Sequence, residues 1–270
     1  PVNDSVQTRD WVYVNVTTSE TASKAILEWN ETTNYTMSGS NTNWYYNVTS
    51  LSNGYYSYKV FANDTLNNFG VSETRDITIG NVCGNVYIDI TLTGDVSASG
   101  TCFIISADDI TFDCNGYKIT GTSETGNGIE GTGRSGITVK NCNITNFFWG
   151  IYFDQSTSLN ITTNNASENY DNPSLGWPSS LSQVKGGGIY INGTDNSTIS
   201  NNTATFQMNG IWLDYSPNNN ITNNNAYNNS NWGLALFVSS NNNILDNNLD
   251  YNIRYSVCLL YTSDAADELD

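Results

Sequence analysis

The phrase Gly-Ile-Tyr-Phe-Asp at residues 150–154 decides the fold, because it returns at a regular distance along the chain. It comes back as Gly-Ile-Tyr-Ile-Asn at 188–192 and as Gly-Ile-Trp-Leu-Asp at 210–214, and a weaker copy, Gly-Leu-Ala-Leu-Phe, occupies 233–237. With Gly128-Ile129 as an earlier member, the glycines are 22 (128 to 150), 38 (150 to 188), 22 (188 to 210) and 23 (210 to 233) residues apart. The chain therefore repeats about every 22 residues, and one repeat carries an insertion.

A second phrase runs in step with the first. It consists of an apolar residue, an Asn three positions later and a small or apolar residue two positions further on. Its five members begin at Val139, Ile161, Ile199, Ile221 and Ile244, which are again 22, 38, 22 and 23 residues apart. In the first member, Cys142 takes the place of Asn. Because both phrases agree on the period and on the insertion, the repeat is a structural unit.

A unit of this length predicts one turn of a parallel β-helix. Pairs of packed helices need a repeat of roughly 33 residues or more. The repeated segments instead alternate in the manner of strands, and Asn-rich turns separate them. We expect each turn over residues 81–257 to stack on the last at about 4.8 Å, in a right-handed coil. Apolar side chains would form ladders inside it, and each buried Asn would bond the Asn above and below.

Two stretches of this region also resemble a known family. Asp-Ile-Thr-Phe-Asp-Cys-Asn-Gly-Tyr-Lys-Ile-Thr-Gly at 109–121 and Ile-Thr-Val-Lys-Asn-Cys-Asn-Ile at 137–144 are similar to the right-handed parallel β-helix (PbH1) repeats of carbohydrate-binding and sugar-hydrolysing proteins, including NosD-like proteins. The resemblance implies the fold over roughly 81–257. It does not imply one function, because this architecture carries lyases, hydrolases, epimerases and inert stalks.

Residues 1–80 lack the repeat and predict a separate module of short strands. In residues 54–62, Tyr56, Tyr58, Val60 and Ala62 alternate as one buried face. This pattern is typical of a small immunoglobulin-like or fibronectin-III-like sandwich with Trp29 in its core. Trp-Val-Tyr-Val-Asn-Val at 11–16 and Tyr-Lys-Val-Phe-Ala-Asn-Asp at 58–64 also resemble Ig-like modules of archaeal and bacterial surface proteins. The predicted fold class is therefore all-β.

The final residues, 258–270, form a third segment. Cys-Leu-Leu-Tyr-Thr-Ser-Asp-Ala-Ala-Asp-Glu at 258–268 resembles the translation of a common sequencing adapter. We therefore expect an artefact tail on a truncated, metagenomic fragment.

The four cysteines before that tail predict disulfides or buried thiols. In an extracellular setting Cys83–Cys102 is the preferred bridge, and Cys114–Cys142 is a second pairing. Alternatively, all four are free thiols that fill ladder positions. The chain has no His and these cysteines form no C-x-x-C pair, so no zinc site is expected.

Composition excludes several classes of function. With 26 acidic residues against 9 basic ones and no His, the chain suits neither nucleic-acid binding nor Ser-His-Asp or Cys-His catalysis. No apolar run reaches the roughly 20 residues of a membrane span. Asn-x-Ser/Thr sequons recur in both parts of the chain. They indicate a secreted or cell-surface glycoprotein.

The register of the repeat predicts two outward columns on the coil. The aromatic column consists of Tyr152, Tyr190 and Trp212, two residues after each glycine. It would give sugar rings a surface for stacking, although aromatic ladders also stabilise parallel sheets without a ligand.

The acid column consists of Asp154, Asn192 and Asp214, four residues after each glycine. Asn192 would contact sugar, and Asp154 and Asp214 are the catalytic candidates. They would lie about 9.6 Å apart, near the ~6.5–9.5 Å of inverting glycosidases. Ca²⁺ between these two acids would need extra ligands.

The insertion, at 167–187, adds Trp177, which either anchors that loop or contacts a ligand. No basic residue, Arg134 included, is placed beside the acid column by the register, which argues against a lyase. The sequence thus predicts a modular extracellular protein whose β-helix binds polysaccharide or cell-surface glycan. A polysaccharide-active hydrolase, lyase or epimerase using Asp154 and Asp214 is one alternative. A purely structural stalk is the other.

Overall fold

The computed structural model describes residues 1–170 and 186–260. The chain divides into two compact units, Pro1–Val82 and Cys83–Asp270. The described residues form strands and no helix, so they contain no helix able to cross a membrane. Trp177 lies outside the described residues.

The first unit contains nine strands. They are β1 (Ser5–Gln7), β2 (Val12–Thr17), β3 (Lys24–Trp29), β4 (Thr33–Thr36), β5 (Ser38–Ser40), β6 (Asn43–Val48), β7 (Gly54–Asn63), β8 (Phe69–Val71) and β9 (Arg75–Ile79).

These strands form two sheets around one apolar core. One sheet has the order β1-β9-β7-β3-β4 with β8 on β7, and the other has the order β2-β6-β5. Trp29 is 4% exposed in this core, and its ring stacks on Tyr58 at 5.8 Å between centroids. Of the row predicted to be buried, Tyr58 and Val60 are buried, while Tyr56 and Ala62 pack against them half-buried. An immunoglobulin-like classification of this unit stays a prediction.

The described residues of the second unit contain eighteen strands. They are β10 (Gly84–Val86), β11 (Ile90–Thr91), β12 (Val96–Ala98), β13 (Phe103–Ile105), β14 (Thr111–Asp113), β15 (Lys118–Gly121), β16 (Asn127–Thr132), β17 (Thr138–Lys140), β18 (Asn143–Thr145), β19 (Trp149–Asp154), β20 (Asn160–Thr162), β21 (Gly187–Asn192), β22 (Thr198–Ser200), β23 (Asn209–Asp214), β24 (Asn220–Thr222), β25 (Trp232–Phe237), β26 (Asn243–Leu245) and β27 (Tyr255–Leu260).

The second unit is the predicted parallel coil, with about seven turns. Equivalent strands of successive turns pair in parallel, in an eight-stranded sheet (β10-β13-β16-β19-β21-β23-β25-β27) and a seven-stranded sheet (β11-β14-β17-β20-β22-β24-β26). A third side starts as β12-β15-β18 and continues as isolated parallel bridges. Strands β19 and β21 pair directly although the insertion separates them in sequence. The prediction of a parallel β-helix is confirmed.

The repeated glycine is required because the backbones of successive turns come close together. A Cβ atom on Gly188 would lie 2.7 Å from the carbonyl oxygen of Gly210. One on Gly210 would lie 2.5 Å from the oxygen of Gly233 and 2.8 Å from the Cβ of Ala226. Any larger residue therefore forces neighbouring turns apart.

The repeated asparagine forms the predicted buried ladder. Asn164, Asn202 and Asn224 each donate from Nδ2 to the Oδ1 of the next member, at 3.0, 3.0 and 2.9 Å, and the ladder ends at Asn247. Each Nδ2 also donates to a strand carbonyl of the preceding turn, as from Asn202 to Ile161 at 2.8 Å. These amides thus satisfy one another inside the coil, as expected of buried polar groups.

Two disulfides join the first turns of the coil, Cys83–Cys102 and Cys114–Cys142. Cys258 is free and half-buried. It lies within β27, which pairs with β25 as far as Leu260. The first three residues of the predicted tail are therefore part of the sheet, and residues 261–270 lie outside the described residues.

Candidate functional site

The outward face of the eight-stranded sheet carries both predicted columns in register. Strand pairing aligns Tyr152 with Tyr190 and Trp212, and Asp154 with Asn192 and Asp214. Toward the first turns, Glu130 and Ile104 occupy the positions equivalent to the aromatic column. Thr132 occupies the position equivalent to the acid column. The predicted register is confirmed.

Most of the aromatic column is buried. Tyr190 is 3% exposed and Trp212 is 2% exposed. Trp149 stacks on Tyr190 at 5.0 Å between ring centroids, and Phe237 stacks on Trp212 at 4.9 Å. These rings form a second apolar cluster outside the coil. The expectation of an open stacking surface is therefore wrong for Tyr190 and Trp212, because neighbouring rings cover them.

Tyr152 is the half-buried end of this cluster, with its ring 5.3 Å from that of Tyr190. Burial raises the pKa of its hydroxyl, and the charges of Asp154 and Glu130 raise it further. Burial also raises the pKa of Tyr190, with an added contribution from Asp214. Both phenols are therefore neutral hydrogen-bond donors at ordinary pH.

Both acids of the acid column are bonded to uncharged neighbours. Asn192 donates from Nδ2 to Oδ1 of Asp154 at 2.6 Å, and the Tyr190 hydroxyl donates to Oδ2 of Asp214 at 3.3 Å. The strand that carries Asn192 lies between the strands of the two acids. Their catalytic role stays a prediction. Within residues 1–170 and 186–260, no group of three His, Cys, Asp or Glu side chains is arranged to hold a metal ion.

An open depression of about 240 Å³ lies on the same face, one strand from Tyr152. Glu130, the strand partner of Tyr152, lines it together with Ile104, Ser106, Thr132 and Arg134. It combines an apolar side chain with a carboxylate, hydroxyls and a guanidinium. Such a mixture of apolar surface and a few polar groups is typical of small-molecule sites.

The polar side chains of this depression are held in place. Glu130 accepts hydrogen bonds at Oε2 from Asn127 at 2.7 Å and from Thr101 at 3.2 Å. Arg134 donates from Nε to the carbonyl oxygen of Thr132 at 3.0 Å, and its guanidinium lies 3.5 Å from Asp108. A charge pair and local hydrogen bonds therefore fix the walls before any ligand arrives.

Arg134 is the basic residue that lines this depression. Its side chain bonds Thr132 in its own turn and Ser106 and Asp108 in the preceding turn. These contacts lie on the side of the face toward the first turns. The expectation that no basic residue lies beside Asp154 and Asp214, which argues against a lyase, stays a prediction.

Together, the coil and this face define a parallel β-helix with one aromatic and acidic outer sheet. Residues 87–267 match the family described as right handed beta helix region, and the chain belongs to that family. An exopolygalacturonase of family 28 from Yersinia enterocolitica is a similar solved structure, with 8% identity, a TM-score of 0.28, and coverage of 94% of this chain and 86% of that chain. This likeness is too weak to assign any property of that protein to this chain. No curated protein matches the sequence.

Sequence reasoning missed Glu130 and Trp149. Glu130 occupies the aromatic column in the turn of Gly128, and extending the register by one member would have found it. Trp149 precedes Gly150, and the same position holds Trp232 in the turn of Gly233. That recurrence was the available signal.

Proposed function

We propose that the β-helix binds a polysaccharide at the depression beside Tyr152. The supporting observation is the position of this half-exposed ring, one strand from a depression walled by Glu130, Thr132 and Arg134. A sugar ring offers apolar C–H faces to an aromatic ring and hydroxyls to fixed carboxylate and guanidinium groups. Tyr190, Trp212 and Asn192 would then support Tyr152 rather than contact sugar.

The experiment is native electrophoresis of the full chain in gels that contain one polysaccharide each, either neutral or acidic. Retardation is expected in at least one gel. The Tyr152→Ala and Glu130→Gln variants should bind about tenfold more weakly, on the scale of one lost ring contact or charged hydrogen bond. Tyr251→Ala is the matched control, since Tyr251 is 82% exposed and lies outside both columns.

If the unmodified chain runs freely in every gel, the proposal fails. It also fails if the Tyr152→Ala variant is retarded as strongly as the Tyr251→Ala variant. Circular dichroism of each variant ensures that lost binding is not lost folding.

A polysaccharide-active enzyme is the second candidate, and the supporting observation is that Thr132, the strand partner of Asp154, lines the depression. New reducing ends or unsaturated products, formed by the unmodified chain and absent with the Asp154→Asn variant, would support it. Binding without product would leave the binding role.

We further propose an extracellular or cell-surface setting. The support is the pair of disulfides, since such bonds persist in oxidising compartments, and exposed sequon asparagines such as Asn34 and Asn160. An immunoglobulin-like role for the first unit is supported by Tyr56, whose hydroxyl donates to the carbonyl oxygen of Ser52 at 2.9 Å. This bond resembles the tyrosine corner of such domains.

A further inference from the structure

The smaller sheet of the first unit has a solvent face with two exposed tyrosines. Tyr13 on β2 and Tyr45 on β6 are 44% and 45% exposed, and their rings stack at 5.8 Å between centroids with 24° between planes. The inward neighbours Val12, Val14 and Trp44 are buried in the core. Strand alternation therefore directs the tyrosines away from the core.

Asparagines flank this ring pair on both sides. Tyr13 is the cross-strand partner of Asn47, and Tyr45 is the partner of Asn15. Both asparagines are exposed, and their side chains bond to no other described residue. At the end of the row, Thr17 donates to Oδ1 of Asn43 at 3.3 Å. Open amide groups thus lie beside open ring surface.

The strand residues of this face are uncharged. The side chains that β2, β5 and β6 direct to this side are Tyr13, Asn15, Thr17, Ser38, Ser40, Asn43, Tyr45 and Asn47. The chain as a whole has a net charge of −17. A face without charge in so acidic a chain neither repels nor attracts an ion, and it suits an uncharged ligand with many hydroxyls.

We propose that this tyrosine face, formed by β2, β5 and β6, binds a neutral polysaccharide. The two rings stack on the apolar faces of sugar units, and the amides of Asn15 and Asn47 exchange hydrogen bonds with hydroxyls. Tyrosine suits this role, because it supplies a large rigid contact at little cost in conformational entropy. The three strands offer an acidic polysaccharide no cationic side chain on this face.

Both asparagines also begin Asn-x-Thr sequons. A glycan attached to either would cover the rings, so binding requires unmodified asparagines. The test therefore uses the full chain made in the bacterial periplasm, where disulfides form and these sequons stay free of glycan.

The experiment is native electrophoresis in gels containing hydroxyethyl cellulose, galactomannan, soluble starch or polygalacturonate. We expect retardation in at least one of the three neutral gels. The Tyr13→Ala/Tyr45→Ala variant should bind at least about tenfold more weakly. The Tyr13→Phe/Tyr45→Phe variant keeps both rings and should bind within about twofold of the original.

Tyr55→Ala is the matched control, because Tyr55 is 70% exposed on β7 of the other sheet. It should leave binding unchanged. Free migration in all three neutral gels would overturn the proposal, as would undiminished retardation of the double alanine variant. Loss of binding by Tyr152→Ala alone would place the ligand on the β-helix and also overturn it. Equal thermal unfolding of the variants excludes a folding defect.

Discussion

Replacing Asn202 with Asp tests the asparagine ladder at its centre. Asn202 is fully buried, and its Nδ2 donates to Ile161 and to Asn224 at 2.8 and 3.0 Å. Its Oδ1 accepts the backbone N–H of Asn164 at 3.0 Å. Asp has the same shape but no N–H₂ group. Its carboxylate would face two oxygens in an apolar interior, so the folded chain should accept the substituted side chain only in its protonated form.

The cost follows from the proton and from the lost donor. An Asp in the unfolded chain has a pKa near 3.9, so holding it protonated at pH 7 costs about 4 kcal/mol. The protonated acid donates one hydrogen bond where the amide donated two, and one orphaned acceptor adds about 1–3 kcal/mol. We expect a loss of about 5–7 kcal/mol at pH 7 and about 1–3 kcal/mol near pH 4. Because the folded pKa is raised, stability is lost as pH rises from about 4.

Urea unfolding of the full chain at several pH values measures this loss relative to the original sequence. Hydrogen exchange at the amide of Asn164 reports whether the ladder opens locally, as a coil of near-independent turns allows. Asn201→Asp is the matched control, because Asn201 is exposed in the adjacent position and should cost within about 0.5 kcal/mol. An Asn202→Asp cost that does not change with pH, or that equals the control, would refute the reasoning.

Three further outcomes are expected. Gly210→Ala should lower the free energy of unfolding, measured by calorimetry, by about 1–3 kcal/mol, because the new Cβ would lie 2.5 Å from the oxygen of Gly233. Gly100→Ala is the control and should lower it far less, because the space around Gly100 is open. Tyr190→Phe should reduce the loss of stability at alkaline pH, measured by urea unfolding. The pKa of the Tyr190 hydroxyl is raised in the folded chain, so the neutral hydroxyl contributes stability below pH about 10, and that contribution is lost as pH rises further. An equal loss in both proteins would contradict this. In unreduced, unfolded protein, a thiol reagent should label Cys258 alone, and a second labelled cysteine would contradict the disulfide pairing.

The fold was predictable because its requirements repeat in the sequence. Gly188 and Gly210 are needed where backbones nearly touch, and Asn202 and Asn224 are needed where a buried amide has another amide above it. Each requirement recurs once per turn, so the glycines and asparagines that meet it stand at a regular spacing in the sequence. The insertion could be recognised because it lengthens both spacings equally.

Burial of the aromatic column could not be predicted in the same way. Trp149 and Tyr152 are three positions apart and would face opposite sides of a regular strand. Both nevertheless contact Tyr190, at 5.0 and 5.3 Å. Strand pairing skips Gly150, which breaks the alternation and turns Trp149 outward. A register counted from glycine cannot show which additional rings cover the column.

The hydrogen bonds around the insertion have a consequence for protein engineering. On its two sides, Tyr170 donates to Phe147 at 2.7 Å and Gly187 donates to Phe148 at 2.8 Å. The entry and exit points are thus both held by hydrogen bonds to the same neighbouring turn. A designer could therefore graft a foreign peptide between residues 170 and 187, with the coil itself as the scaffold.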